Sequence, residues 1–262
     1  MPYPVAAARG SKAPVVSGNG LLSGLLVYWP LSEESGNRAD LHSNGYTLTE
    51  GGTLGAADGL VYPKAALFAA GADNYLTRAL AGCALINFSA ATPFTIAVWC
   101  YPTAFHVEPG DTPYYYRQII NMNLGSTFSG GWLLQSTALV GEDLWGWYTL
   151  IGKTGGPVAF DHHSAPPVGF VANAWHLIAL THDSNDFLWY MNGDTETDTN
   201  AIAFTAASGG ELSIGIRSPG TLTQNYDGRL GPIAIWNRAL TVAELNAFYN
   251  AGAGLPYAQL TM

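Results

Sequence analysis

The sequence predicts an all-β protein, a sandwich or barrel of short strands with one short helix near its carboxyl end. Short apolar or alternating segments, rich in β-branched and aromatic residues, recur between turn signals from Val27 onward. The pair Asn192-Gly193 stands between two such segments and supplies the two positive-φ residues of a type I′ turn. Near the end, Val242, Leu245, Phe248 and Tyr249 form one apolar stripe at helical spacing behind a capping signal.

Residues 1–24 combine Pro, Gly, Ser and Ala with little periodicity and read as an extended arm leading into the first strand. Strands are then expected at 94–99, 145–151, 176–180 and 212–216, with a hairpin built from 187–191 and 194–197. Residues 103–172 are punctuated by Pro109-Gly110, Gly130-Gly131, Gly155-Gly156-Pro157 and Pro166-Pro167, and read as long loops on the scaffold, where recognition tends to sit. Thr241 caps the helix, Glu244 completes a capping box, Leu240 staples onto Leu245, and Gly252 is placed to end it. The division is an arm at 1–24, a domain at 25–252 and an extension at 253–262.

With 262 residues, 48% of them hydrophobic, the chain can bury enough apolar surface to offset its ordering entropy, which excludes disorder. The net charge is −9 and the basic residues are scattered singly, which argues against a nucleic-acid groove or an anionic-membrane patch. No apolar run is long enough to span a membrane, and the amino-terminal residues lack the order of a secretory signal. Cys83 and Cys100 are the only cysteines, too few for a disulfide scaffold. They read as two reduced thiols, with one bridge left open.

Catalytic signatures are missing. There is no Gly-x-Ser-x-Gly, His-Glu-x-x-His or Cys-x-x-Cys, and Gly152-Lys153-Thr154 has Trp147 where a phosphate loop needs glycine. Glu33-Glu34 and Glu142-Asp143 are adjacent pairs that a strand would send to opposite faces. Asp194, Glu196 and Asp198 share a face, but follow the hairpin turn as a solvated edge. A non-enzyme is expected. Candidate carbohydrate ligands are Tyr114 and Tyr115 in a loop, Trp145 and Trp147 on one strand face, and the cluster Asp161, His162 and His163. Exposed aromatics stack on the C–H faces of sugars while Asp and His bond the hydroxyls. Core tryptophans and surface histidines fit the same residues. Asp40-Leu41-His42-Ser43-Asn44-Gly45 is an oxygen-rich turn that could ligate calcium or could be a turn alone.

Several segments, in order, resemble the laminin-G-like, concanavalin-A-like jelly-roll family. They are residues 26–33 with 40–45, Ala66-Leu67-Phe68 with Asp73-Asn74-Tyr75-Leu76, 94–102, 173–183 with 188–193, and finally 212–217, 226–232 and 235–241. The resemblance covers about 27 to 252. It implies a two-sheet antiparallel jelly-roll sandwich, usually non-catalytic, that binds glycans or proteins or forms an adhesive layer. It also implies calcium, with ligands mapping by position onto Asp40, Asn44 and Asp227, although Gly231-Pro232 stands where an acidic pair is often seen.

The expected function is a structural and recognition protein of a bacteriophage virion, a head decoration or tail-associated subunit. Its arm and carboxyl extension would fasten it to neighbouring subunits, and its loops would contact host or environmental glycans. Virion localisation follows from the missing export signal, and a homo-oligomer from the low charge and apolar ends. The alternatives are a free lectin-like adhesin and, behind it, a glycoside hydrolase or lyase on the same fold.

Overall fold

The structure is a computed structural model that describes residues 20–69, 71–103, 114–122, 130–139, 145–153, 156–163, 170–199, 204–216 and 225–261. For 114–116, 137–139, 145–153 and 156–163 the description is of backbone and register. In chain order the strands are β1 (Leu25–Trp29), β2 (Thr49–Gly51), β3 (Gly55–Asp58), β4 (Lys64–Phe68), β5 (Tyr75–Ala79), β6 (Phe94–Pro102), β7 (Tyr114–Met122), β8 (Trp132–Leu139), β9 (Trp145–Lys153), β10 (Gly156–His163), β11 (His176–His182), β12 (Phe187–Met191), β13 (Asp194–Asp198), β14 (Glu211–Ile214) and β15 (Gly228–Trp236). Helix α1 (Val242–Tyr249) follows.

The strands form two antiparallel sheets packed as a sandwich. The first runs β13-β12-β11-β6-β15-β4-β3. One edge of β15 is shared end to end, since residues 228–230 pair with β4 and residues 233–236 pair with β1. The handover coincides with a register shift between Leu230 and Ile233, where Pro232 can sit because a bulge does not need its missing N–H. The second sheet runs β10-β9-β8-β7-β14-β5-β2.

The region 103–172, read as loops around the strand expected at 145–151, supplies four consecutive strands of the second sheet, β7, β8, β9 and β10, of which only β9 was expected. Tyr114 and Tyr115 begin a strand, and Asp161, His162 and His163 end one. Polar-out alternation, the usual mark of a strand, is blurred here because Gln118, Asn121 and Gln135 are at most 2% exposed although their neighbours fill the core.

The core between the sheets takes Val27, Trp29, Ile96, Val98, Ile178, Leu180, Trp189, Ile233 and Ile235 from the first sheet. It takes Leu76, Ile120, Met122, Trp132, Leu134, Leu212 and Ile214 from the second. A register shift between Leu25 and Val27 lets Leu26 and Val27 both face this core while Tyr28 faces away.

A second apolar layer covers the outer face of the first sheet. Tyr28, Trp99, Tyr190 and Trp236 there pack under Leu245 and Phe248 of α1, together with Leu21 and Leu260 from the chain's two ends. Trp236 Nε1 donates to Leu21 O at 2.7 Å, Leu22 N to Thr261 O at 2.9 Å, and Tyr28 Oη to Leu255 O at 2.8 Å. The segments set apart at 20–24 and 253–261 are therefore bonded to the sandwich and to each other. Residues 1–19, the bulk of the expected arm, lie outside the described residues.

Local signals explain most elements. The hairpin turns on Asn192 at φ 53° and Gly193 at φ 112°. Thr241 and Glu244 make both bonds of the capping box, and Leu245 and Phe248 are buried, while Val242 is exposed. The helix ends before the expected Gly252. Asn250 takes the left-handed cap at φ 49°, ψ 50°, and its Nδ2 donates to Gly254 O at 3.1 Å. Cys83 and Cys100 are buried and unbridged, and burial pushes the Cys83 thiol up to about 11.

The hairpin asparagine also fixes a buried histidine. Asn192 Nδ2 donates to His176 Nδ1 at 2.9 Å, leaving Nε2 to donate to Val171 O at 2.9 Å. This arrangement needs the neutral ring, and burial holds its pKa below the ordinary 6.5. The unfolded chain therefore binds this proton more readily than the native one. The histidine's contribution is complete above about pH 6.5 and is lost as pH falls toward the depressed native pKa. The urea midpoint is expected to drop between pH 7 and pH 5, with a shallower drop in His176→Gln.

Candidate functional site

Both inner sheet faces form the core, and α1 and the chain ends cover the outer face of the first sheet. No described helix or strand lies on the outer face of the second. Register places Thr49, Thr77, Ser213, Asn121, Leu133, Leu150 and Asp161 in one row across this face. A second row holds Gln118, Gln135, Tyr148 and His163. Their chain neighbours Leu76, Leu212, Ile120 and Leu134 point into the core, which fixes these rows as outward.

Buried amides gather where β14 ends. Asn121 Nδ2 donates to Ile216 O at 2.8 Å, Asn225 Nδ2 to Ala72 O at 2.8 Å, and Gln118 Nε2 to Gln135 Oε1. Asn225 also bridges Gln118 through the backbone, and Asn74 lies two residues beyond Ala72. Because each N–H is aimed at a fixed acceptor, the opposite oxygen is the one left over. Asn74 Oδ1, Gln118 Oε1, Asn121 Oδ1 and Asn225 Oδ1 are buried without a donor. Such acceptors cost about 1–3 kcal/mol each unless water or a ligand hydroxyl meets them.

Beside them, the half-buried Tyr75 ring lies over Gly51, where a Cβ would come within 2.2 Å of it. Glycine is thus required for the ring to settle on the sheet. Thr77 Oγ1 lies 2.6 Å from Glu211 Oε2. Burial and the carboxylates of Asp73 and Glu211 raise the Tyr75 pKa, keeping its hydroxyl protonated. An aromatic face, hydroxyls, a carboxylate and amide oxygens together suit a polyhydroxylated ligand.

The pleat divides the residues expected to bind carbohydrate. Tyr114, Asp161 and His163 occupy outward positions. Tyr115, Trp145 and Trp147 stand in register with Ala138 and Ser136, on the face that carries Leu134 inward, and His162 stands opposite Thr149 on that same face. By register, Asp161 and His163 alternate with His162 along β10, and Trp145 and Trp147 occupy positions of the same parity along β9. Tyr75, Thr77, Gln118, Asn121, Glu211 and Asn225 were not among the expected ligands.

The expected calcium ligands do not fit calcium. Asp40 Oδ1 accepts from Tyr28 N and His42 N, both at 2.9 Å, and Oδ2 accepts from Tyr46 N at 3.0 Å. Asn44 Nδ2 donates to Leu26 O at 2.8 Å. Tyr28 pairs with Ala234, six residues along β15 from Gly228, so Asp227 lies roughly 20 Å from Asp40 by strand rise. Asp40 is a loop clamp, and no group of three or more His, Cys, Asp or Glu able to hold a metal occurs among the described residues. No described helix is long and apolar enough to cross a membrane.

Comparisons extend this geometry. No curated protein matches the chain. Among solved structures it is similar to the binding domain of Paraclostridial Mosquitocidal Protein 1, with TM-score 0.65 and 20% identity over 88% of this chain and 53% of that one. It is similar to domain 4 of AbnA, an extracellular arabinanase from Geobacillus stearothermophilus, solved in complex with arabinotriose, with TM-score 0.57 and 16% identity over 88% of this chain and 98% of that domain. A third likeness is to botulinum neurotoxin type C, described as dependent on interaction with two ganglioside molecules to enter cells, with TM-score 0.58 and 14% identity over 88% of this chain and 52% of that one. The chain spans about half the length of the two toxin chains. At these identities the likeness shows the fold. A family model matches residues 71–246, and with the two-sheet sandwich it establishes that the chain belongs to the concanavalin A-like lectin/glucanases superfamily, in its laminin-G-type branch.

Proposed function

We propose that the protein is a non-catalytic glycan-binding module whose outer second-sheet face takes neutral sugars. The observation that carries this reading is the set of buried amide oxygens without a donor at Asn74, Gln118, Asn121 and Asn225, close in the sheet to the half-buried Tyr75, although the central outward positions Gln118, Asn121, Leu133, Gln135 and Ser213 are themselves at most 2% exposed. Sugar hydroxyls are donors suited to those oxygens, and the Tyr75 ring suits a sugar's C–H face. The arabinotriose bound to the arabinanase domain and the gangliosides of the neurotoxin support a carbohydrate ligand for this fold.

A hydrolytic reading finds little support. Asp161 and Glu211 are four strands apart, about 19 Å at ordinary strand spacing, far beyond the 5–5.5 Å of a retaining pair. The virion-subunit reading leaned on both chain ends. Of these, 253–261 are engaged by the chain's own sheet and 1–19 lie outside the described residues.

Affinity electrophoresis against arabinan and other neutral polysaccharides, with reducing-sugar release assayed in the same samples, tests the proposal. Retardation without release is expected, and Tyr75→Ala should weaken it about tenfold. Release of reducing ends would establish an enzyme instead. Absence of retardation in every gel would remove the glycan reading.

A further inference from the structure

The outer face of the first sheet is not covered along its whole length, and beyond α1 it carries a differently composed cluster. Tyr101 on β6 pairs with Arg229 on β15, and the Arg229 guanidinium carbon sits 4.5 Å from the Tyr101 ring centroid. Trp175 reaches over from the turn before β11, its ring 5.4 Å from Tyr101 at a 59° tilt. Gly231 makes this possible. A Cβ there would stand 3.3 Å from the Trp175 ring and 3.3 Å from Trp99, so any side chain would press against both. Tyr101, Trp175 and Arg229 are each half-buried, leaving part of each surface open to solvent.

Arg229, like Arg78 over the Tyr46 ring, is held by a main-chain carbonyl and an aromatic face, in contrast to the cations that pair with carboxylates. Arg38 pairs with Glu50 at 3.1 Å, Lys64 with Asp58 at 3.4 Å, and Arg238 with Glu244 at 2.7 Å. Arg229 instead gives one N–H to the main-chain oxygen of Asp58 at 3.1 Å and has no carboxylate partner among the described residues. In a chain of net charge −9, a guanidinium held in place by a carbonyl and an aromatic face, yet unneutralised, is poised for an external anion. Its planar fork matches a carboxylate, and the adjoining rings match the apolar face of a pyranose.

We propose that Arg229, Tyr101 and Trp175 form a second glycan site, on the opposite sheet from the first, that takes a carboxylate-bearing sugar such as a uronic acid. The inference rests on the glycan reading only for the sugar class of its ligand. The two sites share no residue, and each can fail alone.

The test uses the full chain in affinity gels containing polygalacturonate, its fully methyl-esterified form, or dextran sulfate. The unmodified protein should be retarded by polygalacturonate, weakly or not at all by the methyl ester, and less as salt rises. Arg229→Gln should lose at least about tenfold in affinity, with Arg229→Lys intermediate, because lysine keeps the charge and loses the fork. Trp175→Ala, which removes no hydrogen bond, should weaken binding similarly and decides the matter if Arg229→Gln fails to fold. Tyr75→Ala should leave polygalacturonate binding unchanged. Equal binding of the methyl ester, unaltered binding by Trp175→Ala, or no retardation by polygalacturonate would each overturn the proposal. Dextran sulfate binding as tight as polygalacturonate binding would overturn the sugar assignment, since it would mark a general anion patch.

Discussion

Trp29→Ala is expected to lower the free energy of unfolding by about 3–5 kcal/mol, the largest single effect anticipated in this protein. Trp29 is fully buried in the inter-sheet core, and its Nε1 donates to Tyr46 O. Truncation removes the packing of a large ring and leaves a buried carbonyl without its donor, and the two costs add. It also loosens β1, whose sole described sheet partner is β15. Trp29→Phe should recover part of the packing and none of the hydrogen bond, with a smaller loss. Urea unfolding monitored by fluorescence measures both, and a loss below about 1 kcal/mol for the alanine variant would show that the loop at Tyr46 collapses into the space.

Asp40→Ala is expected to cost about 2–4 kcal/mol, by a different route. Its carboxylate receives three main-chain N–H groups, two of them from the buried residues Tyr28 and Tyr46. Alanine strands those donors. Asp40→Asn keeps one acceptor oxygen and should fall between wild type and alanine. Since the carboxylate is already engaged, calcium or a chelator should leave the wild-type unfolding midpoint unchanged. A midpoint that rises with calcium and loses that response in Asp40→Ala would show that the turn is a cation site after all.

The sequence made some elements easy to read and hid others for definite reasons. The β12–β13 hairpin and the α1 amino terminus were legible because each is set by two or three adjacent residues, Asn192-Gly193 in one case and Thr241 with Glu244 in the other. Strands β6 and β11 were legible as apolar runs because both of their faces are buried. Strands β7 and β8 were not, since Gln118, Asn121 and Gln135 place buried polar groups where an outward face normally exposes them, whereas β9 was read from its aromatic run. The candidate site was hidden more deeply. Its amides come from the approach to β5, from β7 and from the residue before Tyr226, and only the pairing of β14 with β5 and β7 brings them together. Aromatic density drew attention to Trp145 and Trp147, while the row each occupies is set by register, which a strand's sequence does not reveal until its neighbours are known. The acidic turn at Asp40 was found in the right place, and its carboxylate accepts the N–H groups of the chain's own backbone, an arrangement an oxygen-rich loop does not announce in sequence.

The pairing of β1 with β15 also sets an order of events during synthesis. Leu25 meets Trp236, so the first described strand finds its partner only after roughly 200 further residues have been made, about 10–40 s at ribosomal rates of about 5–20 residues per second. Through that interval Leu-Leu-Val-Tyr-Trp, buried throughout in the native protein, has no native place to go. The nascent chain therefore carries an adhesive apolar segment throughout the synthesis of the residues between β1 and β15, and its yield in the cell should depend on chaperone capacity more strongly than its final stability would suggest.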